Sequence, residues 1–383
     1  MLHVIYLDYS ATTPMSMDAL DTLLKVSKDF IGNPNSLHRL GGKSKELIES
    51  ATKQISELLK VKTNEIVYTS GATESNNMAL LGVAFAYRNR GNHILVSPLE
   101  HPSIYAICDY LESIGFEVEK IKCNQEGLID FEDLKEKMRP ETILVSVALV
   151  NSEMGIREPL KMIRQIIKKE NATTLFHSDM TQGLGKVPIS VHDVDLASFS
   201  FHKIYGPKGI GLLYKQEKVA LVPIIHGSGK GSVLRPGTPA VPLIASASKS
   251  LRLALQDLER KEDFIEKLNE KIVKELSNYE GILINQTKYS IPHILNISLP
   301  NIKPETFIHA LEDCEIYVGT NTACASGEVS EGVLAVYEDE KRASSTIRIS
   351  LSYLTTTDEV KRFLHCFGLV FKRLGSLASK EKN

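Results

Sequence analysis

Apolar and polar positions alternate in helix-like and strand-like patterns from residue 41 to about residue 215. Apolar residues recur every three or four positions over residues 47–59, which predicts a helix with one buried face. Residues 65–69 form a short β-rich run, which predicts a strand. Repeated units of this kind favour an α/β domain with a mostly parallel sheet. Further strands are predicted at 93–97, 142–149, 175–178, 196–199 and 209–214, with helices near 102–114 and 158–170.

The pattern changes after a cluster of glycine and proline at residues 227–242. A helical stretch rich in Leu, Lys and Glu follows, from about residue 244 to 276, and we expect it to link two domains. The rest of the chain predicts a smaller α+β domain, because strands and helices are mixed there without regular alternation. Its strands are predicted at 294–298, 316–318 and 347–351, and its helices at 304–313 and 357–373.

Composition excludes several classes of protein. The chain has 383 residues, of which 43% are hydrophobic and 24% charged, as expected for a soluble globular protein of about two domains. The formal net charge of −2 gives no general attraction to nucleic acid or anionic lipid. The N-terminal residues lack a signal-peptide pattern, and no apolar run approaches the ~20 residues of a membrane span. We therefore expect a cytoplasmic protein without direct contact to membrane or nucleic acid.

The five cysteines are odd in number and widely spaced, without a C-x-x-C pair. This predicts neither a disulfide framework nor a zinc site, and no metal is expected. Cys108, Cys314 and Cys366 lie in apolar or helical contexts and are predicted to be packing residues, whereas Cys123 precedes a polar segment. Cys324 lies in a stretch of small residues, where burial as a small hydrophobe is less expected.

The strongest chemical signal is Lys203, which ends a predicted strand between His202 and a glycine-containing segment. A partly desolvated lysine at such a position can form a Schiff base with an aldehyde such as pyridoxal phosphate. The alternative for a single lysine is an exposed surface position. Asp179, at the end of the preceding predicted strand, can keep a pyridine nitrogen protonated, which is what makes that cofactor an electron sink. Its alternative is a helix N-cap.

Three further segments follow predicted strands. Residues 69–76 open a helix, whose backbone N–H groups and dipole can face a phosphate. His101 can stack on a planar ring or exchange protons near neutral pH, or it can be structural. Asn151 can donate to a ring oxygen or a substrate carboxylate, or it can be a turn residue.

Taken together, seven blocks in order along the chain resemble the cysteine desulfurase family of pyridoxal-phosphate enzymes, over essentially the whole sequence. The blocks are residues 6–14, 32–38, 70–76, 100–101, 150–155, 179–182 and 200–203. The resemblance implies the fold-type I aminotransferase architecture, with a mostly parallel seven-stranded sheet in a large domain at 13–245. It implies a small domain at 1–12 and 246–383, which carries the catalytic cysteine.

The resemblance also implies a role for each matching residue. Lys203 carries the cofactor as the internal aldimine and later acts as the base at Cα, and His101 stacks on the ring. The other residues implied to bind the cofactor are Ala72, Thr73, Asn151, Asp179, Gln182, Ser200, His202 and, from a second subunit, Thr238. Asn151 and Arg348 resemble the pair that receives the substrate carboxylate, a task that suits a bidentate guanidinium.

The reaction implied by the resemblance converts L-cysteine to L-alanine. The Cys324 thiolate attacks the substrate sulfur, and the resulting persulfide passes to an acceptor protein, either an iron–sulfur scaffold or a tRNA-thiolating enzyme. Because Thr238 belongs to a second subunit, a homodimer is expected. Two alternatives remain: selenocysteine lyase or another aminotransferase-like lyase with the same cofactor, and a non-enzymatic relative that binds a partner.

The chain departs from the family pattern at Ser152, Met180, Phe201 and residues 227–234. None of these positions is among those assigned to the cofactor. The segment around Cys324 retains the Ala-Cys-x-Ser core but is a few residues shorter than in members with a long loop.

Overall fold

The computed structural model describes residues 4–228, 232–320 and 329–380, with side chains described as far as residue 375. The strands in these ranges are β1 (Ile5–Tyr6), β2 (Ile66–Thr69), β3 (His93–Val96), β4 (Glu117–Lys120), β5 (Thr142–Ser146), β6 (Leu175–Asp179), β7 (Leu196–Ser200), β8 (Gly211–Lys215), β9 (Leu283–Ile284), β10 (Ile294–Ser298), β11 (Ile316–Tyr317) and β12 (Thr346–Ser350). The α-helices are α1 (Met17–Asp29), α2 (Arg39–Leu59), α3 (Ala72–Tyr87), α4 (Pro102–Ser113), α5 (Phe131–Lys137), α6 (Leu160–Glu170), α7 (Val241–Leu255), α8 (Leu258–Leu276), α9 (Pro304–Glu312), α10 (Glu331–Tyr337), α11 (Glu340–Ala343) and α12 (Thr357–Lys380).

A seven-stranded sheet organises the first part of the chain, in the order β2-β8-β7-β6-β5-β3-β4. The neighbouring pairs β4–β3, β3–β5, β5–β6 and β6–β7 are parallel. Strand β8 is antiparallel to both β7 and β2. The predicted mostly parallel α/β sheet is therefore confirmed. Sequence reasoning missed β4 at the edge, because its sequence Glu-Val-Glu-Lys contains a single apolar residue and gives no apolar run.

The central strands β5, β6 and β7 are buried at every position, because helices cover both faces of the sheet, and their polar residues are therefore buried as well. On one face, residues such as Val145 and Phe176 pack in a core with Ile55 of α2 and Ile163 of α6. On the other face, residues such as Leu144 pack in a core with apolar residues of α3 and α4. The helices thus cover both sides of the sheet, and the open edge available to a ligand is the one where the parallel strands end.

A separate core joins the two ends of the chain. Ile5 and Leu7 are buried with Ile347 of β12, Phe307 of α9 and Phe367 of α12. Here β1 pairs in parallel with β11, and β12, β10 and β9 form a three-stranded antiparallel sheet. The proposed domain boundary at residue 245 stays a prediction.

The predicted helix from about residue 244 to 276 is two helices, α7 and α8, so its continuity was wrongly predicted. The break lies at Asp257, whose φ of 53° is left-handed. Aspartate tolerates this conformation better than most residues, but it is a weak sequence signal compared with glycine or proline. Buried residues of α7, such as Leu251, pack in the core of the large sheet.

In the ranges that the structure describes, no helix is both long and apolar enough to cross a membrane.

Candidate active site

A cavity of about 470 Å³ opens at the carboxyl ends of the parallel strands. It brings together residues that the sequence spreads over most of the chain. The predicted site residues that line it are Ala72, Thr73, His101, Asp179, Gln182, Ser200, His202, Lys203 and Arg348. Their convergence on one cavity is what the strand-end argument predicts.

Lys203 follows β7 in the short turn Phe201–Lys203. Its Nζ atom donates to the backbone oxygens of Ser10 at 2.5 Å and Ala11 at 2.6 Å. These two carbonyls belong to the N-terminal segment, which is attached to the same turn through a hydrogen bond from Thr13 N to His202 O at 2.9 Å. The N-terminal segment therefore forms one wall of the cavity and holds the lysine amine at it.

Asp179 is the last residue of β6 and is 8% exposed. Its Oδ2 atom accepts from Asn76 Nδ2 at 2.9 Å, and its Oδ1 atom accepts from the backbone N–H of Thr181 at 3.0 Å. These two donors, one to each oxygen, fix the orientation of the buried carboxyl group. A carboxylate held in this way at the cavity wall suits a protonated ring nitrogen.

His101 is the N-cap of α4, and its Nδ1 atom accepts from the backbone N–H of Ser103 at 3.1 Å. This contact places the proton of the neutral ring on Nε2. Burial lowers the pKa of His101; the charge of Asp179 acts in the opposite direction, and that of Lys203 lowers the pKa further. The ring is therefore neutral near pH 7 and suits stacking on a planar group.

The N-terminus of α3 supplies a place for a phosphate. Gly71 is the N-cap and offers no side-chain acceptor to the first turn, and residues 70–73 line the cavity beside Ser200. Free N–H groups at the start of a 16-residue helix attract an anion through both hydrogen bonding and the helix dipole. His202, whose Nδ1 lies 3.0 Å from Thr12 Oγ1, lines the same region. Burial, together with the nearby positive charge of Lys203, lowers its pKa to about 4.

Arg348 lies on β12 and is 2% exposed, yet it reaches the cavity wall. One terminal nitrogen donates to Ser152 O at 3.1 Å, and the other lies 2.9 Å from Asp8 Oδ1. Nε has no hydrogen-bond partner within the described ranges. Asp8 lies in the first block that resembles the family, but the sequence alone assigned it no role. In the structure Asp8 holds the Arg348 guanidinium in place.

Asn151 stands apart from the residues that line the cavity. Its Oδ1 accepts from the backbone N–H groups of Glu153 at 3.0 Å and Met154 at 2.7 Å, and its Nδ2 donates to Leu99 O at 3.2 Å. These contacts match the turn-residue alternative. Since Val150 and Ser152 line the cavity, the turn lies at its wall, and a direct role of Asn151 in binding stays a prediction.

Two further predicted residues are not among the described residues that line the cavity. Thr238 is absent from the lining, but Gly237 and Pro239 line a neighbouring cavity of about 340 Å³, which shares Ser70 and Gly209 with the first. Cys324 lies outside the described residues.

The other cysteines are all free. Cys108 and Cys366 are buried, which confirms them as packing residues, and burial raises the pKa of Cys108 to about 12. Cys314 and Cys123 are partly buried, and Cys123 Sγ donates to Ala335 O at 3.1 Å. Within the part of the chain that the structure describes, no group of three His, Cys, Asp or Glu residues is placed to bind a metal.

The residues present fit pyridoxal phosphate. An uncapped helix N-terminus suits its phosphate, a hydrogen-bonded carboxylate suits its ring nitrogen, and a lysine amine at the same cavity suits its aldehyde. The fold and the cavity thus define an α/β protein built to bind this cofactor.

Comparisons with known proteins agree with a site for pyridoxal phosphate. The family model described as aminotransferase class-V matches residues 5–363. A protein named "NifS/IcsS protein homolog", from Lactobacillus delbrueckii subsp. bulgaricus, is 39% identical over 98% of this chain and 99% of its own length. A protein named "Cysteine desulfurase IscS", from Buchnera aphidicola subsp. Acyrthosiphon pisum, is 39% identical over 97% and 93%. A solved structure titled "NIFS-LIKE PROTEIN" has a TM-score of 0.91 and 34% identity, covering 97% of this chain and 100% of its own.

The chain belongs to the class-V aminotransferase family and, within it, to the cysteine desulfurase family. Enzymes of this family depend on pyridoxal phosphate.

Proposed function

We propose that this enzyme is a cysteine desulfurase, which converts L-cysteine to L-alanine and retains the sulfur as a persulfide on Cys324. The observation that carries the proposal is the convergence of Lys203, Asp179 and Arg348 on one cavity. A cofactor-linking amine, a partner for the ring nitrogen and a carboxylate receptor are the three groups that an amino-acid substrate requires there. The relatives named cysteine desulfurase support the choice of cysteine.

Pyridoxal phosphate, when bound, withdraws electrons from the Cα atom of an amino acid, which makes a proton at Cα removable. The protein's part is to place the groups around that carbon. Lys203 Nζ, held by the carbonyls of Ser10 and Ala11, is the base that takes the proton. His101, uncharged near neutral pH, covers the ring face without placing a second positive charge beside Lys203.

Arg348 receives the substrate carboxylate. Its guanidinium is already fixed by Asp8 and by the carbonyl of Ser152, so little side-chain freedom is lost when the substrate binds. A planar guanidinium donates two parallel hydrogen bonds to a carboxylate, which sets the orientation of the amino acid as well as its affinity.

Sulfur transfer is assigned to Cys324. Its thiolate attacks the sulfur of the bound cysteine, an S–S bond forms, and the substrate's Cβ–S bond breaks. The electron pair of the broken bond remains with the substrate carbon skeleton, and protons supplied to that skeleton complete alanine. No external oxidant is needed, because the substrate carbon is reduced as the two sulfur atoms join.

The test is to incubate the enzyme, loaded with pyridoxal phosphate, with cysteine and to measure alanine, sulfide and the mass of each cysteine-containing peptide. We expect equimolar alanine and sulfide under reducing conditions and, in a parallel reaction without reductant, one added sulfur atom on Cys324. Cys324→Ser should abolish sulfide release while retaining the absorbance change on cysteine binding. Cys123→Ser, which alters a partly buried thiol, is the matched control and should leave both products unchanged. Sulfide release by Cys324→Ser, or the sulfur atom on another cysteine, would overturn the assignment.

The proposal includes a homodimer in which Thr238 reaches the partner's cavity. Support comes from the placement of its neighbours Gly237 and Pro239 next to the cofactor cavity rather than in its wall. Mixing inactive Lys203→Ala with weakly active Thr238→Ala protein, after dissociation and reassociation, tests it. One intact site per mixed dimer should restore activity if Thr238 acts across the interface. Absence of any gain would show that Thr238 acts within its own chain.

For the sulfur acceptor we propose a cytoplasmic protein, either an iron–sulfur scaffold or a tRNA-thiolating enzyme. The two relatives from Buchnera aphidicola that are named "Cysteine desulfurase IscS" support sulfur release from cysteine as the first step of such a transfer. Enzyme labelled with ³⁵S at Cys324 distinguishes the two acceptors by where the label appears, in a purified scaffold or in the thiolating enzyme.

A further inference from the structure

A buried lysine that the sequence analysis did not single out lies directly behind the cavity. Lys186 is 7% exposed and follows β6 by a turn. Its Nζ atom donates to Oε1 of Gln182 in a short hydrogen bond. Gly185 makes this turn possible, since its φ of +68° is left-handed and a Cβ atom there would lie 2.8 Å from Cβ of Ala254.

The contact with Lys186 decides which way the Gln182 amide points. A glutamine side chain has one acceptor end and one donor end, and reversing the amide exchanges them. Here the oxygen faces Lys186, and Nε2 donates to Ser10 O at 3.0 Å. An amide nitrogen carries two N–H groups, so the same nitrogen has a second proton to donate, and Gln182 lines the cavity.

The Gln182 amide also shares an acceptor with the catalytic lysine. Ser10 O accepts hydrogen bonds from Gln182 Nε2 and from Lys203 Nζ, the latter at 2.5 Å. Reversing the amide would turn its oxygen toward Ser10 O and leave Lys186 opposite a donor. Two mismatched buried pairs would result, each a buried hydrogen bond left unmade, which is unfavourable. Lys186 therefore makes one orientation of Gln182 strongly preferred.

Charged groups from several elements face Lys186. Burial lowers its pKa well below the usual range, and the positive charges of Lys203 and Arg348 act in the same direction. His293 lies close on another segment, and burial together with Lys186 lowers its pKa to about 3. Whether protonated or neutral, the amine keeps an N–H to donate, so the contact with Gln182 does not depend on its charge.

We propose that Lys186 is a positioning residue that fixes the Gln182 amide with its N–H groups toward the cavity, where they donate to the ring oxygen of bound pyridoxal phosphate. The inference rests on the proposed function for the placement of the cofactor. It explains why a lysine is buried where no carboxylate pairs with it among the contacts described for its side chain.

The test is a spectroscopic pH titration of the purified holoenzyme without substrate. A donor to the ring oxygen stabilises its anionic form, so losing the donor raises the pH at which bound pyridoxal phosphate changes its absorbance. In Lys186→Met the amide is free to turn, and we expect the midpoint to rise by about one pH unit, a tenfold change in the proton equilibrium. Gln182→Ala should shift the midpoint equally, and the double variant should add nothing further. Lys186→Gln, which retains a donor, should recover part of the shift.

Lys168→Met serves as a control for the loss of a lysine that donates to a buried carboxylate away from the cavity, at Asp195. It should lower stability and leave the titration midpoint unchanged. An unchanged midpoint in either Lys186→Met or Gln182→Ala would overturn the proposal, as would additive shifts in the double variant. If Lys186→Met does not fold, Lys186→Leu replaces it; its side chain also lacks a donor for Gln182 Oε1, and its midpoint should rise in the same way. Failure of the desulfurase proposal is seen separately, as cofactor uptake without alanine formation.

Discussion

The Nδ2 atom of Asn76 lies 2.9 Å from the Oδ2 atom of Asp179, which ties helix α3 to the end of strand β6. The same nitrogen lies 3.1 Å from Ser103 Oγ, and Ser103 in turn donates its backbone N–H to His101. One asparagine therefore links the carboxylate to the histidine at the cavity. Because Asn76 lies one turn into the helix whose N-terminus faces the phosphate position, a single helix sets both ends of the cofactor site.

Replacing Asn76 with leucine should destabilise the protein even without cofactor. Asn76 is fully buried, and its loss leaves Asp179 with one fewer donor, so we expect the free energy of unfolding to fall by about 1–3 kcal/mol. Urea unfolding of the apoprotein measures this change. Asn77→Leu, at the partly exposed next position, is the control and should have a smaller effect. Equal losses in the two variants would contradict the importance of the Asp179 contact.

Arg348→Lys should weaken substrate binding strongly and leave cofactor binding unchanged. Lysine keeps the charge but cannot donate to Asp8, Ser152 O and a substrate carboxylate at once in a fixed plane. We expect KM for cysteine to rise at least tenfold, whereas the absorbance of the bound cofactor stays as in the wild type. Steady-state alanine formation over a range of cysteine concentrations measures it. A KM within twofold of the wild-type value would remove Arg348 from the substrate site.

Asp195 should make the protein sensitive to acid. It is fully buried; burial raises its pKa, but the hydrogen bond and charge of Lys168 and the charge of Arg164 outweigh this and hold the pKa below its usual value of 3.8. A carboxyl with a lowered pKa in the folded state stabilises the protein above pH 3.8 and loses that contribution as the pH falls through the folded value.

The expected result is a loss of about 3–5 kcal/mol in Asp195→Asn at pH 7, since two cations keep no charged partner there. Urea midpoints between pH 3 and 7 provide the measurement. The wild type should lose stability below about pH 4, and the variant should show a shallower decline there. Parallel pH profiles would contradict the role of this carboxylate.

The pKa of Glu158 is shifted in the opposite direction to that of Asp195. Burial raises its pKa to about 8 although its Oε1 accepts from Ile129 N at 2.9 Å, and Oε2 has no hydrogen-bond partner within the described ranges. The folded protein then holds a proton that the unfolded chain releases above pH 4.5, so stability falls as the pH rises from 4.5 to 8. In Glu158→Gln, which is uncharged at every pH, that part of the decline should disappear. Chemical unfolding at pH 5, 6.5 and 8 checks it, and a decline equal to that of the wild type would contradict the raised pKa.

Much of the fold was accessible from the sequence because the strands that build the site are also the most buried. The central strands carry short runs of apolar and β-branched or small residues, and residues at or just after their ends, such as Asp179 and Lys203, line the cavity. Strand β4 and the break at Asp257 escaped because a polar edge strand and a left-handed aspartate leave no periodic signal.

The residues of the cavity wall could be predicted where they fall in the blocks that resemble the cysteine desulfurase family, but the residues that support them from behind could not. Lys186 looks like any surface lysine in the sequence, and its burial behind Gln182 depends on the turn at Gly185 and on packing against α7. Asn76 and Asp8 lie within the blocks that resemble the family, but their hydrogen-bond partners, Asp179 and Arg348, lie far away along the chain. Contacts of this kind are set by the assembled fold, and no local pattern contains them.

The N-terminal segment that supplies Ser10 and Ala11 has a consequence for biosynthesis. Strand β1 pairs with β11, and Ser10 N donates to Ser350 Oγ at 2.9 Å, so this segment finds a partner 340 residues later in the chain. The seven-stranded sheet, complete by Lys215, can form earlier. We therefore expect the lysine pocket to lack this wall during synthesis until β11 and β12 have been made, and the cofactor to be captured only after those strands have docked.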